Sequence, residues 1–173
     1  MYTVHAFYIS LICQILTFAW IYPAVLTCCS FYAFGLEYDT PEDLFTYMLI
    51  HFLMHLGGIS FGLFCGTLTE NEQGALLIGN TSIILFNFGS GIMANTGGDV
   101  NPIIKFLSWV SPMHYGTELL FKEVTKGRIA EQVLLDHFGY NDSNYVCYGF
   151  LGGFSLLFLI LGWINLWAQN RSH

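Results

Sequence analysis

Four long stretches without a single formally charged residue constrain this chain more than any other feature. They cover residues 2–36, 44–69, 73–98 and 143–170. A helix needs about 20 apolar residues to cross the hydrocarbon core of a bilayer, and each stretch reaches that length. Inside lipid only helices and closed barrels pair every backbone group, and these stretches are continuous rather than alternating. The sequence therefore predicts an all-α integral membrane protein with about four transmembrane helices.

The composition of the chain agrees with a lipid environment. Only 10% of its 173 residues are charged, whereas soluble domains carry roughly 25%, and the mean hydropathy is +0.55. The formal net charge of −7 opposes binding to the phosphate backbone of nucleic acids. We therefore expect a multi-pass protein of the plasma membrane or an endomembrane, in contact with membrane lipids and without a nucleic-acid partner.

We expect the four spans at residues 5–34, 44–68, 74–95 and 145–168, with a kink in the first at Pro23, because proline removes a helical hydrogen bond. Glycines spaced four residues apart in the second and fourth spans share one helix face, where small residues let another helix approach closely. The candidate helix-packing residues are Gly58, Gly62, Gly66, Gly149 and Gly153.

The five cysteines include no Cys-x-x-Cys pair. Cys13, Cys28, Cys29 and Cys65 fall within predicted spans, where cysteine serves packing more often than ligand binding. Cys147 is expected near a membrane surface, with no surface cysteine to pair with. It is therefore predicted either to be a free thiol or to link two chains.

The connection before the last span, residues 96–144, divides into two parts. Residues 101–121 are too apolar for an ordinary loop and too interrupted for a span, which predicts a short re-entrant or interfacial helical hairpin. Within it, Glu118 precedes Lys122 by four residues, the helical spacing of an ion pair, and we expect a structural role for this acid. Residues 122–144 are expected to form a polar loop.

Two sequence features give opposite predictions for the side of the membrane on which this connection lies. It holds four of the five basic residues, and the positive-inside rule would place it in the cytoplasm. Asn141 begins a glycosylation sequon, which favours an outside location and makes Asn141 a glycosylation candidate. A second sequon, at Asn80, lies within a predicted span and is expected to be unused.

The third predicted span is more polar than the other three. Asn80, Thr81, Ser82, Asn87 and Ser90 lie within it. Polar groups at membrane depth usually face protein or a water-filled cavity. Two hypotheses stay open: these side chains line a cavity, or they form hydrogen bonds with neighbouring helices.

Catalytic motifs give little support for an enzyme. The sequence contains no Walker A, Gly-x-Gly-x-x-Gly or His-Glu-x-x-His motif, so the chain by itself is predicted not to bind or hydrolyse ATP. His51 and His55 share a helical face at a spacing that metal sites use. No third ligand lies nearby in sequence, so we expect the two rings to pack between helices and predict no metal site.

The same histidine pair raises the alternative of a rhomboid-like intramembrane serine protease. Such proteases combine a His-x-x-x-His span with a later Gly-x-Ser-Gly nucleophile and a further histidine, and Ser90 and His114 follow that order. The pattern fails in detail, because Phe88 stands where the first glycine is required. The chain also offers four spans where that fold uses at least six.

One segment carries a resemblance to a known family. It runs Phe88-Gly-Ser-Gly-Ile-Met-Ala-Asn95, then Pro102, then Phe106-Leu-Ser-Trp-Val-Ser-Pro-Met-His-Tyr-Gly-Thr-Glu118, and it resembles the outer end of the fifth span and the re-entrant hairpin of White/ABCG-type ABC transporters. Three further segments are similar to other parts of this family and follow the same order. Ile21-Tyr-Pro23 is similar to the third span, and Asn71-Glu-Gln-Gly-Ala75 is similar to the inner turn. The end of the sixth span is similar to Leu166-Trp-Ala-Gln-Asn-Arg171.

The resemblance implies that residues 1–173 are the C-terminal half of a transmembrane domain, spans three to six, of an ATP-driven exporter of lipids, sterols or amphipathic small molecules. Such domains pair as homo- or heterodimers, and ATP and Mg bind to a nucleotide-binding domain that this chain lacks. The connection would then lie outside. The implied cavity residues are Asn80, Ile83, Ile84 and Asn87, the outer-gate residues are Ile92 and Met93, and the hairpin residues are Trp109, Pro112, Tyr115, Gly116 and Glu118. A non-catalytic four-span scaffold protein is the third hypothesis.

Overall fold

The computed structural model describes residues 4–34, 41–93, 101–127 and 131–172. Within these ranges every regular element is a helix, which confirms the predicted all-α class. The helices in chain order are α1 (Val4–Phe18), α2 (Ile21–Phe34), α3 (Pro41–Leu68), α4 (Glu72–Phe88), α5 (Pro102–Val110), α6 (Pro112–Thr125), α7 (Glu131–Phe138) and α8 (Asn144–Ser172).

Three helical stretches of the described residues are long and apolar enough to cross a membrane: His5–Ala33, Pro41–Leu68 and Asn144–Arg171. The third predicted span is shorter than expected, because α4 has 17 residues and ends at Phe88. Its length of about 26 Å falls short of a core about 30 Å thick. The chain leaves the helix at the glycines that follow, and Gly91 adopts a φ of +90°, which favours glycine.

The first apolar stretch is interrupted, as predicted, close to its proline. Helix α1 ends at Phe18, the chain turns at Ala19 and Trp20, and α2 begins at Ile21. Pro23 cannot donate to the carbonyl of Ala19, and its ring crowds that carbonyl. The interruption therefore lies one helical turn before the proline.

Helix α3 is the centre of the molecule. It packs against α8 along most of its length and also contacts α2, α4 and α6. The main hydrophobic cluster forms where α3, α6 and α8 meet, and it consists of Ile50, Tyr115, Leu119, Cys147 and Leu151. This cluster anchors α6 to α3 and α8.

Cys147 was predicted either to be a free thiol or to link two chains; it is a free thiol, and its side chain is fully buried in this cluster. The sequence placed it near the start of a span but did not show that α6 covers that end of α8. A buried thiol is not positioned to link two chains.

The connection between α4 and α8 is more ordered than predicted. Helices α5 and α6 form the expected pair, broken at Ser111, whose backbone is extended before Pro112. Residues 122–144 were expected to be a polar loop, but they include the end of α6 and the whole of α7. The loop prediction was wrong because Phe138 of α7 packs its ring against Phe121 of α6, with ring centroids 5.2 Å apart.

The junction of α4 and α5 gives the first testable prediction. A Cβ at Gly89 would lie 2.7 Å from the carbonyl oxygen of Leu107, a backbone atom that cannot move without displacing α5. We expect Gly89→Ala to lower the free energy of unfolding by about 1–3 kcal/mol, as overpacking does. The thermal stability of the purified protein in detergent measures this loss.

Gly79→Ala is the matched control, because Gly79 lies in α4 and a Cβ added there would meet no atom within 4 Å. Alanine favours a helix interior over glycine by roughly 0.5–1 kcal/mol, so the control should be neutral or stabilising. Equal stability losses in the two variants would contradict the close approach of α5 to Gly89.

Candidate functional site

Helix α4 carries the residues predicted to line a substrate cavity, and none of its residues is buried by the described part of the chain. Ile83 and Ile84 are 45% and 57% exposed, and Asn80 is exposed as well. Asn87 is half-buried, and its Nδ2 donates to the carbonyl of Ile83 at 2.9 Å, within the same helix. The face therefore remains open to a second chain, a ligand or lipid.

Two adjoining cavities lie beside α4. One of about 100 Å³ is almost entirely apolar and reaches Gly58, Gly62 and Phe86; the other, about 540 Å³ and more open, reaches Tyr22, His51 and His55. Ile83 lines both cavities, whereas Asn80, Ile84 and Asn87 line neither. The structure thus brings one of the four predicted residues to these cavities and leaves the other three on the open face.

The predicted outer-gate residues follow the end of α4. Ile92 and Met93 come directly after the positive-φ Gly91, and both side chains are exposed. An apolar pair at the mouth of a cavity can exclude water, but the described chain sets no second surface against them. Their role as a gate stays a prediction.

The glycines predicted to pack against another helix are not covered by the described residues. A Cβ at Gly58, Gly62, Gly66, Gly149 or Gly153 would meet no described atom within 4 Å. The close approaches occur at other glycines: Gly57 faces Ser155 and Phe154 of α8, and Gly162 faces Tyr8 of α1. Packing of the predicted glycines against a partner helix stays a prediction.

The two histidines of α3 line the larger cavity, and each also contacts a tyrosine. Nδ1 of His51 lies 3.0 Å from the carbonyl oxygen of Tyr47, one turn earlier in α3. The ring of His55 stacks on Tyr22 of α2, with centroids 4.8 Å apart. The contact of His55 with Tyr22 agrees with packing between helices, whereas the contact of His51 with Tyr47 lies within α3.

Ser90 does not have the surroundings of a nucleophile. Its side chain is buried, and its Oγ donates to the carbonyl of Asn87 at 2.7 Å. A nucleophilic serine needs a general base within hydrogen-bonding reach, and the hydroxyl is instead bonded to the backbone at the end of its own helix. The protease hypothesis is therefore not favoured.

The hairpin residues hold α5 and α6 to each other and to α3. Tyr115 Oη donates to the carbonyl of Trp109 at 3.1 Å, so the first turn of α6 is tied to the end of α5. A Cβ at Gly116 would lie 2.5 Å from Sδ of Met54, which shows how closely α6 approaches α3. Pro112 opens α6, where its missing N–H removes no helical bond.

Glu118 is the most deeply buried acid of the described residues, with 0% of its surface exposed. Its Oε1 accepts hydrogen bonds from Lys122 Nζ at 2.6 Å and from the backbone N–H of Asp142 at 2.7 Å. Lys122 also donates to the carbonyl of Asp142. Burial raises the pKa of the Glu118 carboxyl, and the ammonium of Lys122 opposes that rise. The predicted Glu118–Lys122 pair is confirmed, and it joins α6 to the segment after α7.

His114 lies one turn before Glu118, and its Nε2 is 3.9 Å from Glu118 Oε2. Burial lowers the pKa of His114, while the negative charge of Asp142 and the backbone of Ser90 act in the opposite direction. His114, Glu118 and Asp142 offer ligand atoms that all lie within 4.8 Å of one another. The sequence did not reveal this cluster, because Asp142 comes 24 residues after Glu118.

Tyr140 is a second residue that the sequence did not reveal. It is 1% exposed, and its Oη donates to the carbonyl of Ser90 at 2.8 Å and lies 3.2 Å from Oγ1 of Thr117. Burial raises the pKa of its phenol, so the group remains a donor. A lone tyrosine after a glycine in a polar segment gives no sequence signal of such burial. Asn141, the glycosylation candidate, is exposed beside it.

The comparisons with known proteins agree with a transporter component. The family model described as ABC-2 type transporter matches residues 1–123, well over half of the chain and including α1 to α5 and most of α6. No curated protein matches the chain. The match extends over the cavity side of α4 and most of the hairpin, whereas α7 and α8 lie outside it. The chain therefore belongs to the ABC-2 type transporter family of membrane components.

Proposed function

We propose that this chain is half of the transmembrane domain of an ATP-driven exporter of the White/ABCG type, which moves lipids, sterols or amphipathic small molecules. A nucleotide-binding domain outside residues 1–173 would hydrolyse ATP with Mg, and a second transmembrane domain would complete the pathway. The family match supports a membrane module of an ABC transporter. The order of the motifs from Phe88 to Glu118 supports the finer assignment.

The uncovered face of α4 is the observation that carries this proposal. An amide placed against lipid is costly, so polar side chains at membrane depth face protein or a water-filled cavity. Asn80 is exposed near the middle of α4, and nothing in the described chain covers it. A paired domain enclosing a cavity would give Asn80 polar surroundings.

The chemistry of that face suits an amphipathic ligand. It alternates the amides of Asn80 and Asn87 with the aliphatic side chains of Ile83 and Ile84. Ligand sites are mostly apolar, with a few polar groups that fix orientation. A molecule with a polar head and an apolar body matches this pattern better than an ion or a sugar does.

An Asn87→Leu variant tests the proposed cavity. In proteoliposomes that contain the protein with its nucleotide-binding partner, ATP-driven transport of fluorescent lipid, sterol and amphipathic cation probes is measured for each probe separately. A hydrogen bond to a neutral ligand contributes about 1 kcal/mol, so relative transport rates among the probes should change roughly fivefold. The thermal stability should stay near that of the wild type, because the Asn87 amide bonds only to its own helix.

Thr81→Val is the matched control, because this residue lies in the same helix and is exposed, but points about 100° away from Asn80. It should leave the order of probe preferences unchanged. Unchanged preferences in Asn87→Leu would remove Asn87 from the cavity. ATP hydrolysis that no probe stimulates, together with no transport, would support the scaffold hypothesis instead.

A further inference from the structure

Three side chains converge beside the first half of α6, two from that helix and one from a segment 24 residues later. His114 and Glu118 lie one turn apart on α6, and Asp142 belongs to the segment that joins α7 to α8. Their ligand atoms lie within 4.8 Å of one another. His114 and Glu118 are buried, and Asp142 is exposed, so the cluster has an inner wall and an opening toward solvent.

The inner wall presents one carboxylate oxygen without a hydrogen bond from the described residues. Glu118 is fully buried, and this atom is its Oε2; the thiol of Cys147 lies beside the same carboxyl group. A buried carboxylate oxygen without a hydrogen bond lowers the stability of the fold more than an unbonded neutral group does. Buried polar groups without partners are rare. Oε2 faces His114 Nε2 at 3.9 Å, which is too long for a hydrogen bond.

The other oxygen of Glu118 is held firmly. Oε1 accepts from Lys122 Nζ and from the backbone N–H of Asp142. Side chains that bind metals are usually oriented by such outer hydrogen bonds, and the bonds fix the remaining atom toward the ion. Lys122 and the Asp142 N–H therefore hold Oε1 in place, and Oε2 faces His114 at 3.9 Å.

The ligand types indicate which ion would fit. One imidazole nitrogen with two carboxylate oxygens is a set that suits Zn²⁺ and similar divalent transition metals. Metal–ligand distances near 2.1 Å place tetrahedral ligand atoms about 3.4 Å apart. His114 and Glu118 need to approach by roughly half an ångström to reach that spacing, and the exposed Asp142 side chain can rotate to complete the set.

We propose that His114, Glu118 and Asp142 bind one divalent transition-metal ion, with Zn²⁺ as the best fit. The ion takes Glu118 Oε2 and the carboxylate of Asp142 together with the His114 ring, and it leaves a fourth position open to water. It thereby joins α6 to the segment between α7 and α8. The site is separate from the face of α4 proposed to line the transport cavity, so it does not depend on that assignment.

Titration of the purified, tag-free protein in detergent with ZnCl₂ tests the proposal by isothermal calorimetry. The wild type is expected to bind one ion per chain. The Asp142→Asn variant is expected to bind Zn²⁺ with an affinity at least about tenfold lower. The Asp142 substitution keeps the fold, because the backbone N–H and carbonyl of Asp142, not its side chain, hold Glu118 and Lys122. Thermal unfolding without metal checks that the two proteins are equally stable.

Asp136→Asn is the matched control, because Asp136 is an exposed acid in the neighbouring helix α7 and lies outside the cluster. It should bind Zn²⁺ as the wild type does. Co²⁺ in place of Zn²⁺ should give the intense visible absorption of a four-coordinate site in the wild type and lose it in Asp142→Asn. A wild type without stoichiometric binding, or equal affinities in wild type and Asp142→Asn, would overturn the proposal.

Discussion

Replacement of Glu118 by alanine is expected to lower the free energy of unfolding by about 3–5 kcal/mol, the loss typical of removing one partner from a buried ion pair. The substitution leaves the ammonium of Lys122 and the backbone N–H of Asp142 without the oxygen that both use. Lys122 keeps the carbonyl of Asp142 as an acceptor, but it loses the counter-charge of its ammonium. The side chain of Lys122 is only 19% exposed.

Thermal and denaturant unfolding in detergent, with EDTA present to remove metal ions, measures this loss independently of any bound cation. Glu118→Gln should be milder, since its amide oxygen still accepts the Asp142 hydrogen bond. Glu123→Ala is the control on the same helix: Glu123 is half-buried, and its ion pair at 3.6 Å is with the well-exposed Lys126. It should lose less than about 1 kcal/mol. Equal losses at positions 118 and 123 would show that the buried pair does not stabilise the fold.

Tyr140→Ala is expected to have an effect of similar size. Removal of a buried aromatic ring from a packed site costs about 3–5 kcal/mol, and the Tyr140 ring contacts Phe121, Phe138 and His114. The variant also removes the hydroxyl that donates to the carbonyl of Ser90. We expect the loss to appear as weaker protection from hydrogen exchange in α6 and α7 as well as a lower unfolding temperature.

Two further variants separate the ring from the hydroxyl. Tyr140→Phe keeps the ring and should lose about 1 kcal/mol, the net contribution of one hydrogen bond. Tyr145→Ala is the surface control, because that side chain is 90% exposed, and its effect should stay within about 0.5 kcal/mol. A loss in Tyr140→Phe as large as in Tyr140→Ala would mean that the hydroxyl, rather than ring packing, fixes the segment.

The parts of the fold that follow from hydrophobicity alone were predictable. Long uncharged stretches locate α3 and α8 and the interrupted first span, and the break near Pro23 follows from the missing N–H of proline. The end of α4 was misplaced because the residues after Phe88 continue its uncharged stretch. Hydropathy measures burial from water, whereas helix length also depends on backbone conformation, and the positive φ of Gly91 leaves no trace in a hydropathy profile.

The candidate sites also contain some contacts that the sequence predicts and others that it does not. The ion pair between Glu118 and Lys122 could be predicted because it is a contact within one helix, at a spacing fixed by helical geometry. Asp142 and Tyr140 could not, because their contacts depend on how the segment after α7 folds back onto α6. The residues expected to line the cavity lie on one face of α4, as helical spacing requires, but their surroundings depend on a surface outside the described chain.

The C-terminal end of α4 has an unusual source of stability. Terminal carbonyls of a helix lack partners within it, and here side chains distant in sequence supply them. Ser111 Oγ donates to the carbonyl of Phe86, and Tyr140 Oη donates to that of Ser90, just past the end of the helix. The carbonyl groups at the end of α4 are thus bonded by side chains that lie 25 to 50 positions later in the sequence. We therefore expect the end of α4 to open together with α6 and the segment after α7, so a proteolytic cut near α7 should also loosen α4.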